Sequence, residues 1–417
     1  MSSNWDAVII GGGPAGSTAA MTLAKEGRKV LVLEKETFPR FHIGESLLPY
    51  NVGLFQELGI WEKIQNAGFM VKRGAQFWTG DATLHMRLNF GDGSFTDYPD
   101  SVQVERAKFD LLLLNHAREC GAEVREGSIV LDHVVEADGV KVRYRGADGQ
   151  EREERGAFLV DASGLGNFTA NREGIRKYYA KHKKVAIFGH FNNVEMPQDE
   201  GHGDILIIRR TNSWCWMIPL SDEKTSVGLV MDRSDFQAAN QKPDALFNEV
   251  VANTPALQNR LKDSTMVSQV HVLMDFSYQN EQLVAPRLVR VGDASGFIDP
   301  IFSSGVFLAM QSGNQAGREV HTALEQGAVM TEGLKQYEKD VRKRITLFWE
   351  FIEKFYTKNF TELFLQPDNI FRLPCAVNCV LAGRSKLPFA VRWRLRVFFL
   401  LVWIQKWFPL AEHREIS

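Results

Sequence analysis

The chain has 417 residues, 44% hydrophobic and 24% charged, with a formal net charge of −2. That balance excludes a disordered chain, supports two or three domains' worth of core, and gives no global basic field to attract nucleic acid. The cysteines Cys120, Cys215, Cys375 and Cys379 are scattered, and their one close pair is spaced C-x3-C without nearby histidine, so we expect reduced thiols, no metal and a cytoplasmic protein.

The N-terminal MSSNWDAVII runs straight into a strand, without the cationic and long apolar segments of a signal peptide. GGGPAG follows Asp6–Ile10, Ser17–Glu26 reads as a helix, and KVLVLE (Lys29–Glu34) reads as a second strand, a β-α-β unit. An irregular stretch around FPRFHIGESLLP leads to a helix from about Ala107 to Cys120, and then to alternating segments ending in LVDASG. Residues 183–232 and 264–285 read as a second, mostly antiparallel sheet, with a helix near Asp244–Asn253. RLVRVGDASG returns to a core strand, GVFLAMQSGNQAGREVHTAL is a helix, and the remainder of the chain is helical and aromatic-rich. Val397–Ile404 is an apolar run of eight, far short of the roughly twenty residues that span a bilayer. We read the tail as a helical cover over the substrate face. Arg392, Arg394, Arg396 and Lys406 leave open a membrane surface or an acidic carrier protein as its partner.

Gly11, Gly13 and Gly16 form G-x-G-x-x-G between strand and helix. The first permits a tight turn, the second lets backbone approach a pyrophosphate, and the third lets helix pack on strand. The helix N-terminus offers unpaired N–H groups to phosphates, and Glu34, closing the second strand, can accept from ribose hydroxyls. DASG (Asp161–Gly164) and GDASG (Gly292–Gly296) each follow an apolar strand. The latter resembles the segment that binds the ribityl chain of FAD in flavoproteins like the aromatic hydroxylases. That resemblance implies FAD, with Asp293 on a ribityl hydroxyl and Arg106 near the flavin. It extends the expected cofactor contacts to Pro14, Ala15, Lys35, Arg40, Ser46, Gly164, Gly292, Pro300, Gly305 and Val306.

Four further stretches together resemble the flavin-dependent halogenases: WCWMIP, with Trp214 and Trp216; GESLLP, with Glu45 and Ser46; VKRGAQFW, with Lys72; and FIDPIFSSG, with Ser303 and Gly305. Each also has a plain reading. The tryptophans at i and i+2 share a strand face and can simply pack there. GESLLP occurs in similar form in flavin reductases that saturate isoprenoid chains. Lys72 can be a solvated loop lysine, and Ser303 or Ser304 a helix cap.

The resemblance implies an α/β fold with α+β elements: a Rossmann-like module at 1–80, 100–180 and 285–340, interwoven with a substrate-binding sheet at 81–99 and 181–284, and a helical region at 341–417. It implies chlorination or bromination of an electron-rich aromatic by way of a flavin hydroperoxide, hypohalous acid and Lys72. Reduced FAD would come from a separate flavin reductase, with chloride or bromide near Ser303, Ser304 and Gly305. Glu45, Ser46, Trp214 and Trp216 complete the expected catalytic set. Tryptophan halogenases carry glutamate where this chain has Phe302, so the match is closer to phenol and pyrrole halogenases, some acting on carrier-bound substrates, with Phe302 and Phe307 as pocket walls. The competing readings are an NAD(P)H-dependent aromatic monooxygenase, the isoprenoid-saturating reductase, and a flavin-binding module without catalysis.

Overall fold

The computed structural model describes residues 5–92, 95–180, 182–274, 276–365 and 372–411. Trp5–Ile10 lies at the centre of the first sheet, parallel to Val30–Leu33 on one side and to Glu151–Asp161 on the other, with Leu288–Arg290 beyond. The apolar runs of these strands are buried on both faces, as a parallel sheet covered by helices requires. The helix Pro14–Lys25 starts three residues earlier than the sequence pattern places it, because Pro14 occupies the first turn, where no backbone N–H is needed. Gly11 holds φ +98°, and a Cβ at Gly16 would overlap the Gly11 carbonyl, so the helix can approach the strand only with glycine there. The long helix Gly305–Glu325 packs along Pro14–Lys25.

The second sheet runs Thr265–Met266, Lys184–Asn192, Lys224–Asp232, Ser213–Pro219, Ile205–Arg209, Gly74–Thr79 and His85–Asn89. All of its pairings along this order are antiparallel except Ile205–Arg209 with Gly74–Thr79. Gly74–Thr79 therefore joins the second sheet, although the expected boundary at residue 80 leaves it with the first. Alternation sends Trp214, Trp216 and Ile218 to the core shared with the first sheet, while Cys215 and Met217 face the helices Pro243–Ala252 and Pro255–Leu261. The C-terminal part forms a bundle from Glu332–Phe355, Lys358–Phe364, Leu373–Leu381 and Phe389–Ile404. No described helix is long and apolar enough to cross a membrane.

Candidate active site

A cavity of about 420 Å³ runs from the glycine turn to the inner face of the second sheet. Gly11, Gly13, Pro14 and Ala15 line one end, with Glu34, Lys35 and Arg40 beside them; Gly164, Asp293, Pro300, Gly305 and Val306 are also in the lining. Gly16 and Gly292 stand behind the lining, where they shape the turns rather than face the cavity. The lining fits FAD. The N-terminal end of Pro14–Lys25 presents backbone N–H groups, and among the described residues nothing but the Arg40 guanidinium approaches the open side of Gly13. Glu34 accepts from the Gly12 N–H at 2.6 Å and the Glu36 N–H at 2.8 Å, which fixes its carboxylate at the cavity edge. Asp293 turns its exposed part into the cavity. Burial lifts its carboxyl to about 7, partly offset by the Arg106 guanidinium.

The loop 40–46 is held from beneath by two guanidiniums on one buried carboxylate. Arg106 donates to both oxygens of Asp110 at 2.8 and 2.9 Å, and Arg40 reaches the same group at 2.9 Å. Arg106 also donates to the Ile43 carbonyl at 2.6 Å, so it lines the cavity and braces the loop at once. Burial and the Arg106 charge push His42 down to about 4, leaving a neutral imidazole in the lining. Glu45 and Ser46 are buried cavity residues, and neither caps a helix. Glu45 bonds His190 of the second sheet at 2.7 Å, and its other oxygen has no partner among the described residues.

Trp214 and Trp216 form the far wall, their ring centroids 5.8 Å apart, with Phe188 at 5.7 Å from Trp216. Each indole N–H is satisfied: Trp216 donates to the Ser226 hydroxyl at 3.2 Å and Trp214 to the Tyr356 hydroxyl at 2.7 Å. Tyr356 donates in turn to Asp299 at 2.8 Å, whose same oxygen meets His182 at 2.9 Å. The other Asp299 oxygen accepts from the Ile301 N–H at 3.0 Å. One buried carboxylate thus anchors both the tryptophan wall and the turn leading to Ser303, which takes a left-handed φ of +55° before the helix starts at Gly305. Ser303 lines the cavity; Ser304 is buried behind it and makes no side-chain cap bond among the described residues.

Lys72 is 1% exposed, on the strand Met70–Lys72. It does not line the cavity. Its ammonium donates to the Ser46 hydroxyl at 2.9 Å and the Leu47 carbonyl at 3.0 Å, and lies 5.3 Å from the Phe90 ring centroid. Burial lowers its pKa from 10.5 to about 7, against a smaller pull upward from Asp204. Phe302 and Phe307 also stand away from the cavity, contrary to their expected place as pocket walls. Phe302 packs edge-on to Phe351 and Phe355, and Phe307 to Phe348, because the helix Glu332–Phe355 covers that side.

Sequence reasoning missed Tyr356, His182 and His190. Tyr356 reaches Trp214, and His182 reaches the Asp299 carboxylate that Tyr356 bonds, from distant parts of the chain, and no local pattern connects them. Asp299 sits inside FIDPIFSSG, where an acid immediately before proline was a readable sign of a capped turn.

Residues 4–351 match the family described as FAD binding domain. The 1H-pyrrole-2-carbonyl-[peptidyl-carrier protein] chlorinase of Pseudomonas fluorescens is 32% identical over 89% of this chain and 87% of its own length. The tryptophan 2-halogenase of Chondromyces crocatus is 33% identical over 84% and 68%. Among solved structures, the myxobacterial chondrochloren halogenase CndH superposes with a TM-score of 0.80 at 32% identity, covering 96% of this chain and 97% of that one. The glycine turn, the cavity-lining Asp293 and the paired tryptophans stand in a chain related along most of its length to such enzymes, and it belongs to the FAD-binding flavin-dependent halogenases.

Proposed function

We propose that the enzyme chlorinates or brominates an electron-rich phenol or pyrrole, free or tethered to a carrier protein, using FAD reduced by a separate flavin reductase. Gly13, Pro14 and Ala15 would hold the pyrophosphate at the helix N-terminus, Glu34 the adenosine ribose, and Asp293 the ribityl chain. When bound, the reduced cofactor supplies the oxidation of halide to hypohalous acid by dioxygen. The left-handed turn at Ser303 and the N–H groups opening Gly305–Glu325 would offer the halide an anion site.

The observation that carries this reading is the buried Lys72 amine behind Ser46, at the wall of a cavity closed by Trp214 and Trp216. The indoles exclude an organic ring from the flavin end while leaving space for a small oxidant. Ser46 stands between the cavity and Lys72, its hydroxyl accepting from the ammonium, and is where the oxidant would meet the amine. The ammonium can direct hypohalous acid by hydrogen bond, and the free amine can exchange N–H for N–halogen with release of water. The residue before Ser303 is Phe302, where tryptophan halogenases carry glutamate, and this departure in sequence supports substrates activated by their own hydroxyl or ring nitrogen.

The test is mass spectrometry of free phenols and pyrroles, and of pyrrole-2-carbonyl on a carrier domain, incubated with FAD, a flavin reductase, oxygen and bromide or chloride. Halogenated product that needs halide and the reductase supports the reading. Rapid flavin reduction by NADPH alone, with hydroxylated product and no halide requirement, replaces it with the monooxygenase.

A further inference from the structure

From Arg384 to Ala411 the chain carries Arg384, Lys386, Arg392, Arg394, Arg396 and Lys406 and not one acid, although the whole protein is slightly acidic. The helix Phe389–Ile404 buries Val391, Leu395, Phe398 and Val402 against the bundle. Its opposite face, at i, i+3 and i+4 spacing, presents Phe389, Arg392, Arg396, Leu400 and Trp403 to water, and Trp407 is exposed in the turn that follows. Phe389 is 74% exposed, Trp403 62%, Trp407 62% and Phe408 70%. Indoles and phenyl rings left this open on a fixed surface mark a place where something apolar is met.

The surface is fixed. Gln405 is fully buried, donates to Glu362 and to the Ala411 carbonyl at 2.9 Å each, and accepts from the Leu410 and Ala411 N–H groups at 2.7 and 2.9 Å. This clamp holds the hook after the helix so that Trp407, Phe408 and Leu410 point outward. Lys386, Arg392, Arg396 and Lys406 are exposed around them, and none pairs with a carboxylate among the described residues.

We propose that this face docks on an anionic lipid surface, the aromatic hook entering the headgroup region and the cations upstream meeting lipid phosphates. Charge complementarity selects an anionic partner, and the clustering of tryptophan and phenylalanine at one end of a basic helix is the composition that lies in a membrane interface. An acidic carrier domain would meet the cations but leaves Trp403, Trp407 and Phe408 without the apolar medium that their exposure calls for. A second copy would bring Arg392 and Arg396 towards their own equivalents across a twofold axis.

The test is co-sedimentation of the FAD-loaded protein with vesicles of phosphatidylcholine and phosphatidylglycerol mixed two to one, and with phosphatidylcholine alone, at low and high salt. Binding to the anionic vesicles alone, weakened by salt, is expected. W403S/W407S should lower it at least tenfold, and R392E/R396E by about 25-fold or more, at about fivefold per cation. Both variants should keep the parent's FAD content and melting temperature, since the altered side chains are exposed. No sedimentation with anionic vesicles overturns the proposal, as does binding that both variants retain. Capture of an acidic carrier domain, or a dimer in solution, that W403S/W407S abolishes while vesicles fail to bind would overturn it in favour of those partners.

Discussion

The Lys72 ammonium donates to the Ser46 hydroxyl at 2.9 Å from behind the cavity wall, so a buried amine touches the cavity through a single rotatable oxygen. Ser46 is pinned on its other side by pairing with Gln103, and Glu45 beside it turns the opposite way to His190. A short extended segment thereby sends one side chain to the amine and the next to the second sheet, which extended backbone does by alternation.

Lys72→Met is expected to keep FAD binding and oxygen consumption while halogenated product falls by roughly 10²-fold or more. The same variant tests the burial of the charge. The folded-state pKa of about 7 lies below 10.5, so the native state holds fewer protons than the unfolded chain between those values, and the stability present at high pH is lost as pH falls towards 7. Met carries no such cost. Its gain in melting temperature over the parent should therefore be larger at pH 6 than at pH 9; an equal gain at both would show that Lys72 is not desolvated.

Asp293 carries the opposite sign. Its folded pKa of about 7 lies above 3.8, so the native state holds the extra proton, and the stability present at low pH is lost as pH rises through about 7. Asp293→Asn should leave the apo protein more stable than the parent at pH 8, with a smaller difference at pH 5. Loss of a charged acceptor for a ribityl hydroxyl should weaken FAD binding by about 10- to 100-fold. Fluorescence titration with FAD and melting curves at the two pH values measure both.

The parts of the fold written in local pattern were legible: the β-α-β unit from its glycines, and the alternation that puts Trp214 and Trp216 on one face. Contacts between distant segments were not. Phe302 reads as a pocket wall by its place beside Ser303, yet the helix Glu332–Phe355 covers it, and nothing around residue 302 announces that helix. Lys72 reads equally as a solvated loop lysine, because its burial depends on Leu47 and Phe90, which the chain brings in from both sides. The assignment of Gly74–Thr79 to the second sheet depends on pairing with Ile205–Arg209, a strand from the far side of the first sheet's sequence.

Gly228 stands opposite Trp216 across the strand pair, and a Cβ there would overlap the indole's six-membered ring. Gly228→Ala should push that ring towards the cavity, destabilise the fold by about 1–3 kcal/mol and lower product formation. The double variant G228A/W216F, with a smaller ring, should recover the melting temperature without recovering the parent's product yield. Failure of the smaller ring to restore stability would place the strain elsewhere.

Tyr356 separates the wall's position from its chemistry. Burial and the neighbouring Asp299 carboxylate push its phenol well above the ordinary range, so it stays protonated, donating to Asp299 while accepting from the Trp214 indole. Tyr356→Phe keeps the ring but leaves a buried indole N–H and a carboxylate lone pair without that partner, at a cost of about 1–3 kcal/mol. Trp214 would then be free to rotate out of the wall, and the oxidant would escape before reaching Lys72. The expected result is retained FAD and oxygen consumption with a larger share of oxygen lost as peroxide and a smaller share found in halogenated product. Because Tyr356 lies outside the cavity lining, an unchanged ratio of peroxide to product would mean that the wall does not depend on this hydrogen bond.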